Sequence, residues 1–223
     1  MSGFYKVSEW VMYFTITNIL WVLFNLPIFI LLFYIIKTQN IADFAFFISV
    51  VFLLLPILFF PATTAIFACA RDWVLSNDFN KIVKKFWMHY QKNLKQSYAG
   101  GFLLTLLWVI LFIDIYFFID VSIIITTIIL ISSVFLLVYT TIFFSTTVHY
   151  NVSFKQILIN TLVITITNPT LFIISLGSNI LSLYAFMYAP IFITLFFLGA
   201  IYAFVNFSVF YRVYLKMLSQ KQQ

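Results

Sequence analysis

The sequence contains few charged residues, and this scarcity limits the class of protein. Only 8% of its 223 residues are Asp, Glu, Lys or Arg, whereas ordinary soluble domains carry about 25%. Hydrophobic residues make up 64% of the chain, and the mean hydropathy is +1.11. A soluble globule could not cover its surface with so few charges, so the composition predicts an integral membrane protein.

Cysteine, histidine and glycine are also scarce, and this leaves little material for catalysis. Cys69 is the single cysteine, so no disulfide can form within the chain. His89 and His149 belong to no closely spaced metal-ligand motif, and the glycines form no phosphate-binding loop. No soluble module presents basic residues to a nucleic acid. The sequence therefore predicts a non-enzymatic protein that uses no cofactor or metal and binds no nucleic acid.

Six apolar runs are long enough to be transmembrane helices, which need about 20 residues to cross about 30 Å of hydrocarbon. The runs cover residues 10–36, 44–70, 98–119, 121–148, 169–187 and 189–212. We therefore expect an all-α integral membrane protein with six transmembrane helices, in which residues 1–223 form a single membrane domain.

The lysines and arginines support six crossings, because such residues accumulate near the cytoplasmic ends of membrane helices. With a cytoplasmic N-terminus, every lysine and arginine except Lys37 falls on the cytoplasmic side. Merging the last two runs would place the basic C-terminal segment outside. The charge distribution therefore predicts that both termini are cytoplasmic.

The basic segment NDFNKIVKKFWMHYQKNLK, residues 77–95, interrupts the apolar pattern. On a helix its apolar side chains recur every three or four residues and form one stripe, and the lysines occupy other faces. This pattern predicts a cytoplasmic amphipathic helix over about 78–95, between the second and third crossings. The residues expected to bind lipid or a partner are Phe79, Ile82, Lys84, Lys85, Phe86, Trp87, Tyr90, Lys92 and Lys95.

Two roles are open for this amphipathic helix. Its apolar stripe could lie among the lipid headgroups while each lysine gains about 1 kcal/mol from anionic lipid. Alternatively, the stripe could dock into a groove on another protein. A weaker copy follows the fourth crossing, where Phe154 and Asn168 align with Phe79 and Asn93. This suggests a repeated unit of crossing, amphipathic helix and crossing, as in some transporter folds.

Polar residues and prolines inside the predicted crossings form a second candidate site. Hydrocarbon offers polar groups no partners, so such residues are functional candidates, and proline kinks a helix by freeing a carbonyl. They could line a polar cavity between kinked first and second helices, or they could join neighbouring helices through hydrogen bonds worth about 0.6 kcal/mol each. The candidate cavity residues are Asn18, Asn25, Pro27, Pro61, Thr63 and Asp114.

Four motifs carry a family resemblance. They are NLP in the first helix, PATTAIFACARDW at the end of the second, FNKIVKKFWMHYQKNLKQS, and SFKQILINTLVITITNP. Together they resemble the YesL-like family, a bacterial membrane domain of unknown function, over about residues 15–213. Members are often encoded beside sugar-importing ABC transporters, and the family has no established catalytic residues. The resemblance therefore implies a multi-pass protein of the bacterial cytoplasmic membrane that is linked to carbohydrate uptake or its regulation.

Two functional hypotheses follow. In the first, the protein is a non-enzymatic accessory subunit whose amphipathic helix contacts sugar ABC transporter subunits or a membrane sensor, in addition to the lipid bilayer. In the second, it is a small transporter or channel with a cavity around Asn25, Pro61 and Thr63.

Overall fold

The computed structural model describes residues 3–76 and 81–221, and every regular element within them is helical. Two π-helical segments, Leu55–Phe59 and Thr194–Leu198, join α2 to α3 and α8 to α9 without a break. The helices are α1 Gly3–Lys37, α2 Ile41–Leu54, α3 Phe60–Ser76, α4 Ile82–Phe118, α5 Ile123–His149, α6 Phe154–Thr167, α7 Pro169–Tyr188, α8 Ile191–Ile193 and α9 Gly199–Lys221.

Six helical stretches are long and apolar enough to cross a membrane. They occur in the predicted order, and this confirms the all-α fold with six candidate crossings. The stretches are Val7–Lys37, Ile41–Leu75, Ile82–Phe118, Ile123–His149, Pro169–Tyr188 and Ile191–Ser219. By contrast, α6 has 14 residues, which is too short to span about 30 Å of hydrocarbon.

The segment before the third crossing differs from the prediction. Helix α4 starts at Ile82 and continues to Phe118, so the amphipathic stretch and the crossing form one helix of 37 residues. At 1.5 Å per residue it is about 55 Å long, about 25 Å more than the hydrocarbon core. The prediction of a separate helix over 78–95 is therefore wrong, and Phe79 lies outside the described residues.

The weaker copy of this pattern does form a helix of its own. Helix α6 ends at Thr167, and α7 begins at Pro169 after Asn168. Proline lacks an N–H and disfavours helical geometry in the residue before it, so Pro169 accounts for the break. Asn93, the counterpart of Asn168, is followed by leucine, and α4 runs on.

Helix α3 occupies the centre of the bundle. All residues from Phe60 to Ala70 are buried, and the helix packs against α1, α4, α5 and α9. Ala62, Ala65 and Ala70 have no exposed surface, and small side chains such as these let membrane helices approach closely. The PATTAIFACARDW motif is therefore the core of the fold.

Two glycines allow α4 to approach its neighbours. A Cβ atom on Gly100 would overlap the ring of Phe143 in α5, and one on Gly101 would lie 2.8 Å from the Cα of Pro56. Pro56 lies in the first π segment, so the irregular helix expected at the prolines of the second crossing is present there. Gly100 and Gly101 therefore let α4 pack closely against α5 and the first π segment.

The first and last helices meet near the chain termini. The ring of Trp10 in α1 lies 5.2 Å from that of Phe204 in α9 and 6.3 Å from that of Trp73 in α3, centroid to centroid. Both termini therefore lie at one end of the bundle, and the charge pattern predicts that this end is cytoplasmic. Lys37 lies at the other end, where its Nζ is 5.7 Å from the ring centroid of Phe33, within cation–π range.

Candidate functional site

The first turns of α4 are fixed to the bundle on one face. Phe86 is 1% exposed and Tyr90 is 9% exposed. Their rings lie 5.6 Å and 4.7 Å from the ring of Phe24 in α1. The apolar stripe is therefore largely used within the protein, and the expectation that Phe86 and Tyr90 face a partner or lipid is wrong. An amphipathic helix buries its apolar face against whatever apolar surface lies nearest, and here that surface is α1.

A charged cluster holds the same face of α4. The Nε2 of His89 lies 2.7 Å from Oδ2 of Asp72, and Nη2 of Arg71 lies 3.4 Å from Oδ1 of Asp72. Arg71 also donates from Nη1 to the carbonyl of Val148 at 2.6 Å. These contacts join the end of α3 to α4 and α5. The sequence offered one signal for this cluster, because His89 follows Phe86 by three residues and so shares its face.

The other face of α4 remains exposed. Trp87 is 50% exposed, and its ring stacks on Tyr90 at 5.8 Å with an interplanar angle of 3°. The indole also lies 5.9 Å from the ring of Phe24, so one side is fixed and the exposed half is available for contact. The other exposed side chains on the first turns of α4 are Val83, Lys84, Met88, Gln91, Lys92 and Lys95. Ile82 and Lys85 are half-buried. We call Lys84, Trp87, Met88, Lys92 and Lys95 the exposed α4 face.

Asn18, the first of the predicted cavity residues, joins α1 to the second π segment. Its Nδ2 donates to the carbonyls of Thr194 and Leu195 at 3.2 Å and 2.6 Å, and its Oδ1 accepts the N–H of Ala200 at 3.0 Å. A π segment disturbs the regular backbone pairing, and a side chain can satisfy the freed groups. Gly199 leaves room for this contact, because a Cβ there would lie 2.8 Å from Oδ1 of Asn18.

Asn25 and Thr63 are also engaged in hydrogen bonds. The indole N–H of Trp21 donates to Oγ1 of Thr63 at 3.0 Å and links α1 to α3, and Asn25 donates to the carbonyl of Trp21 at 2.8 Å. Next to Thr63, Thr64 accepts a bond from Ser97 of α4 at 2.9 Å. These contacts favour a role in joining helices over a role in lining a cavity.

The remaining cavity candidates do not form one site with these residues. Pro61 is buried in α3, whereas Pro27 is exposed on α1. Asp114 is half-buried near the end of α4. It lies about 25 Å along the helix from Ser97, at 1.5 Å per residue. The structure thus brings together Asn18, Asn25 and Thr63 near Trp21, and leaves Pro27 and Asp114 elsewhere.

A buried polar network in the second half of the chain was missed by sequence reasoning. Oγ1 of Thr141 in α5 lies 2.7 Å from the hydroxyl of Tyr202 in α9 and accepts a bond from Nδ2 of Asn179 in α7 at 3.0 Å. Nearby, Asn206 donates to Oγ of Ser178 at 2.9 Å. Asparagines within apolar runs were the available signal for this network. The bonds of Asn179 to Thr141 and Tyr202, and of Asn206 to Ser178, hold α5, α7 and α9 together.

Residues 14–115 match the family model described as "Protein of unknown function, DUF624". The DUF624 match contains the PATTAIFACARDW core and the first turns of α4, so it includes both the charged cluster partners Asp72 and His89 and the exposed α4 face. Over these residues the YesL-like resemblance is confirmed.

The chain is also similar to a curated protein of Bacillus subtilis. "Uncharacterized protein YteU" of Bacillus subtilis (strain 168) is 29% identical over 110 residues, which cover 49% of this chain and 38% of the relative. The chain therefore spans less than two fifths of the length of that relative. No solved structure matches the chain.

Proposed function

We propose that the protein is a non-enzymatic accessory subunit of a carbohydrate ABC importer in the bacterial cytoplasmic membrane, and that it contacts the importer through the exposed α4 face. The observation that carries this proposal is the half-exposed Trp87 among exposed lysines, on a helix whose opposite face is fixed by Phe86 and His89. The family resemblance supplies the class of partner.

The geometry of α4 suits a docking element. Tryptophan is enriched among residues that dominate binding energy, and truncation of such a residue costs about 2 kcal/mol or more. Because Trp87 already stacks on Tyr90, little side-chain freedom is lost on binding, and pre-organisation of this kind favours affinity. Lys84, Lys92 and Lys95 would steer an acidic partner surface towards the helix.

A non-enzymatic role is part of the proposal. It is supported by the use of the reactive and polar side chains in structural contacts: His89 pairs with Asp72, and Asn18 bonds to the second π segment. Cys69 is 3% exposed within the core. These groups support the fold rather than facing a common substrate space.

Copurification from the native membrane tests the proposal. Tagged protein carrying Trp87→Ala together with Lys84→Gln should lose at least about tenfold of the importer subunits that the unaltered chain retains, because about 1.4 kcal/mol corresponds to a tenfold change in affinity. Tyr116→Ala is the matched control, since Tyr116 is 79% exposed on the far part of α4. Quantitative mass spectrometry supplies the readout.

Two outcomes would contradict docking on α4. One is unchanged recovery of importer subunits with the double variant. The other is the absence of importer subunits from the unaltered sample. If the double variant instead reduced binding to anionic vesicles and left protein partners unchanged, the exposed α4 face would be a lipid contact and the proposal would be wrong.

A further inference from the structure

A groove lies between the end of α5, helix α6 and the last turns of α9. Its volume is about 230 Å³. Tyr150, Asn160 and Tyr214 contribute polar groups to its lining, and Val163 and Met217 contribute apolar surface. Sites for whole small molecules measure about 300–1,000 Å³. The groove is smaller, so it suits part of a larger amphiphilic molecule.

The setting of the groove is the edge of the bilayer. Helix α6 is too short to span, and apolar helices of about 10–14 residues are typical of interfacial or buried positions. Ile159, Leu162 and Ile166 are 44%, 46% and 62% exposed on α6, which gives the helix an apolar outer surface for acyl chains. At the end of α6, Nδ2 of Asn168 lies 3.9 Å from Sδ of Met217, and this contact connects α6 to α9.

The helices that form the groove, α5, α6 and α9, carry basic residues and no carboxylate. No aspartate or glutamate follows Asp120 in the sequence. Lys155, at the start of α6, and Arg212 and Lys216, on the last turns of α9, are exposed at this end of the bundle. These three basic residues attract an anionic group, at about 1 kcal/mol per basic residue near a membrane surface.

We propose that this groove binds one anionic phospholipid of the bilayer. The polar groups of Tyr150, Asn160 and Tyr214 would contact the phosphate-bearing headgroup, with Lys155 and Lys216 supplying charge. Val163 and Met217 would contact an acyl chain. This site is separate from the exposed α4 face and does not depend on the accessory role.

Native mass spectrometry of the full chain tests this lipid site. Delipidated protein is incubated with mixed micelles that contain equal amounts of phosphatidylglycerol and phosphatidylcholine, and the retained lipids are counted. We expect the unaltered chain to retain phosphatidylglycerol over phosphatidylcholine. Lys155→Gln with Lys216→Gln should lower that preference by about 25-fold, which is the product of about fivefold for each lysine.

A second variant and a control separate the groove from general surface charge. Val163→Trp should fill the groove and reduce retention of both lipids; Val163 is 49% exposed, so the larger side chain can be accommodated. Lys37→Gln with Lys81→Gln removes the same charge from exposed positions outside the groove and outside the exposed α4 face, and should leave the preference unchanged. Equal retention of both lipids by the unaltered chain, unchanged retention in Val163→Trp, or an equal loss in the two lysine variants would overturn the proposal.

Discussion

The first turns of α4 and helix α6 share a sequence pattern but form different structures. Phe154 and Asn168 around α6 align with Phe79 and Asn93 before and within α4. After the asparagine, α4 continues to Phe118, whereas α6 stops and α7 begins at Pro169. A repeated pattern therefore fixes which face of a helix is apolar, while one proline decides whether that helix joins the next crossing.

The two regions also differ in how they are held. In α4, His89 pairs with Asp72 at 2.7 Å. In α6, Oγ1 of Thr161 lies 2.6 Å from Oγ1 of Thr146, where both residues are completely buried. The Asp72 side chain is 17% exposed and keeps access to water at the bundle end, whereas a hydrogen bond between neutral groups suits the interior, because the desolvation of charge is costly.

The largest effect is expected when the charged contact of α4 is broken. Asp72→Ala leaves His89 and Arg71 without their shared carboxylate. His89 loses a hydrogen bond to a charged group, worth about 1.5–3 kcal/mol, and Arg71 loses a partly exposed ion pair worth about 1 kcal/mol or less. Thermal unfolding in detergent should show a large loss of stability. Asp120→Ala is the control, since Asp120 is exposed. Equal stability of the two variants would show that the cluster does not hold α4.

Conversion of the α4 sequence to the α6 pattern should have a somewhat smaller effect. Leu94→Pro places a proline after Asn93, and proline inside a helix costs about 3 kcal/mol. We expect lower thermal stability and a break in α4, measured as new hydrogen–deuterium exchange around residues 90–94. Leu94→Ala controls for the lost side chain. A variant that keeps the protection of a continuous helix would contradict the role given to Pro169.

Breaking the neutral hydrogen bond of α6 should cause the smallest loss of stability. Thr161→Val removes this contact, while the hydroxyl of Thr146 keeps its bond to the carbonyl of Phe143 at 2.9 Å, and loss of an ordinary hydrogen bond costs about 0.5–1.5 kcal/mol. Thermal unfolding should show a smaller loss than for Asp72→Ala. Thr167→Val is the control, because Thr167 is exposed. A loss as large as that of Asp72→Ala would remove the contrast between the charged and the neutral contact.

The number and order of crossings could be predicted because long apolar runs are a local signal. The continuity of α4 could not be predicted by the same reasoning, because polar residues normally end an apolar run even where the backbone remains helical. Here the lysines lie on the same continuous helix as the third crossing. The sequence contains no proline between Ile82 and Phe118, and this was the available sign that α4 is unbroken.

The candidate site was predicted in part. The exposure of Lys84, Lys92 and Lys95 follows from the amphipathic pattern. The burial of Phe86 does not, because its contact is Phe24 in α1, far away in the sequence. The contacts of Asn18 could not be predicted either, because its partners Thr194 and Leu195 lie more than 170 residues away in the sequence. Which helices meet is decided by tertiary packing, which periodicity alone does not encode.

The most direct test of the account is the side of the membrane on which the exposed α4 face lies. Cys69 is buried at 3% exposure, so a new surface cysteine can be labelled selectively with a membrane-impermeant maleimide. We predict that Lys84→Cys reacts only after the cells are permeabilised, and that Val121→Cys, in the exposed turn after α4, reacts in intact cells. Labelling of Lys84→Cys in intact cells would contradict a cytoplasmic docking face.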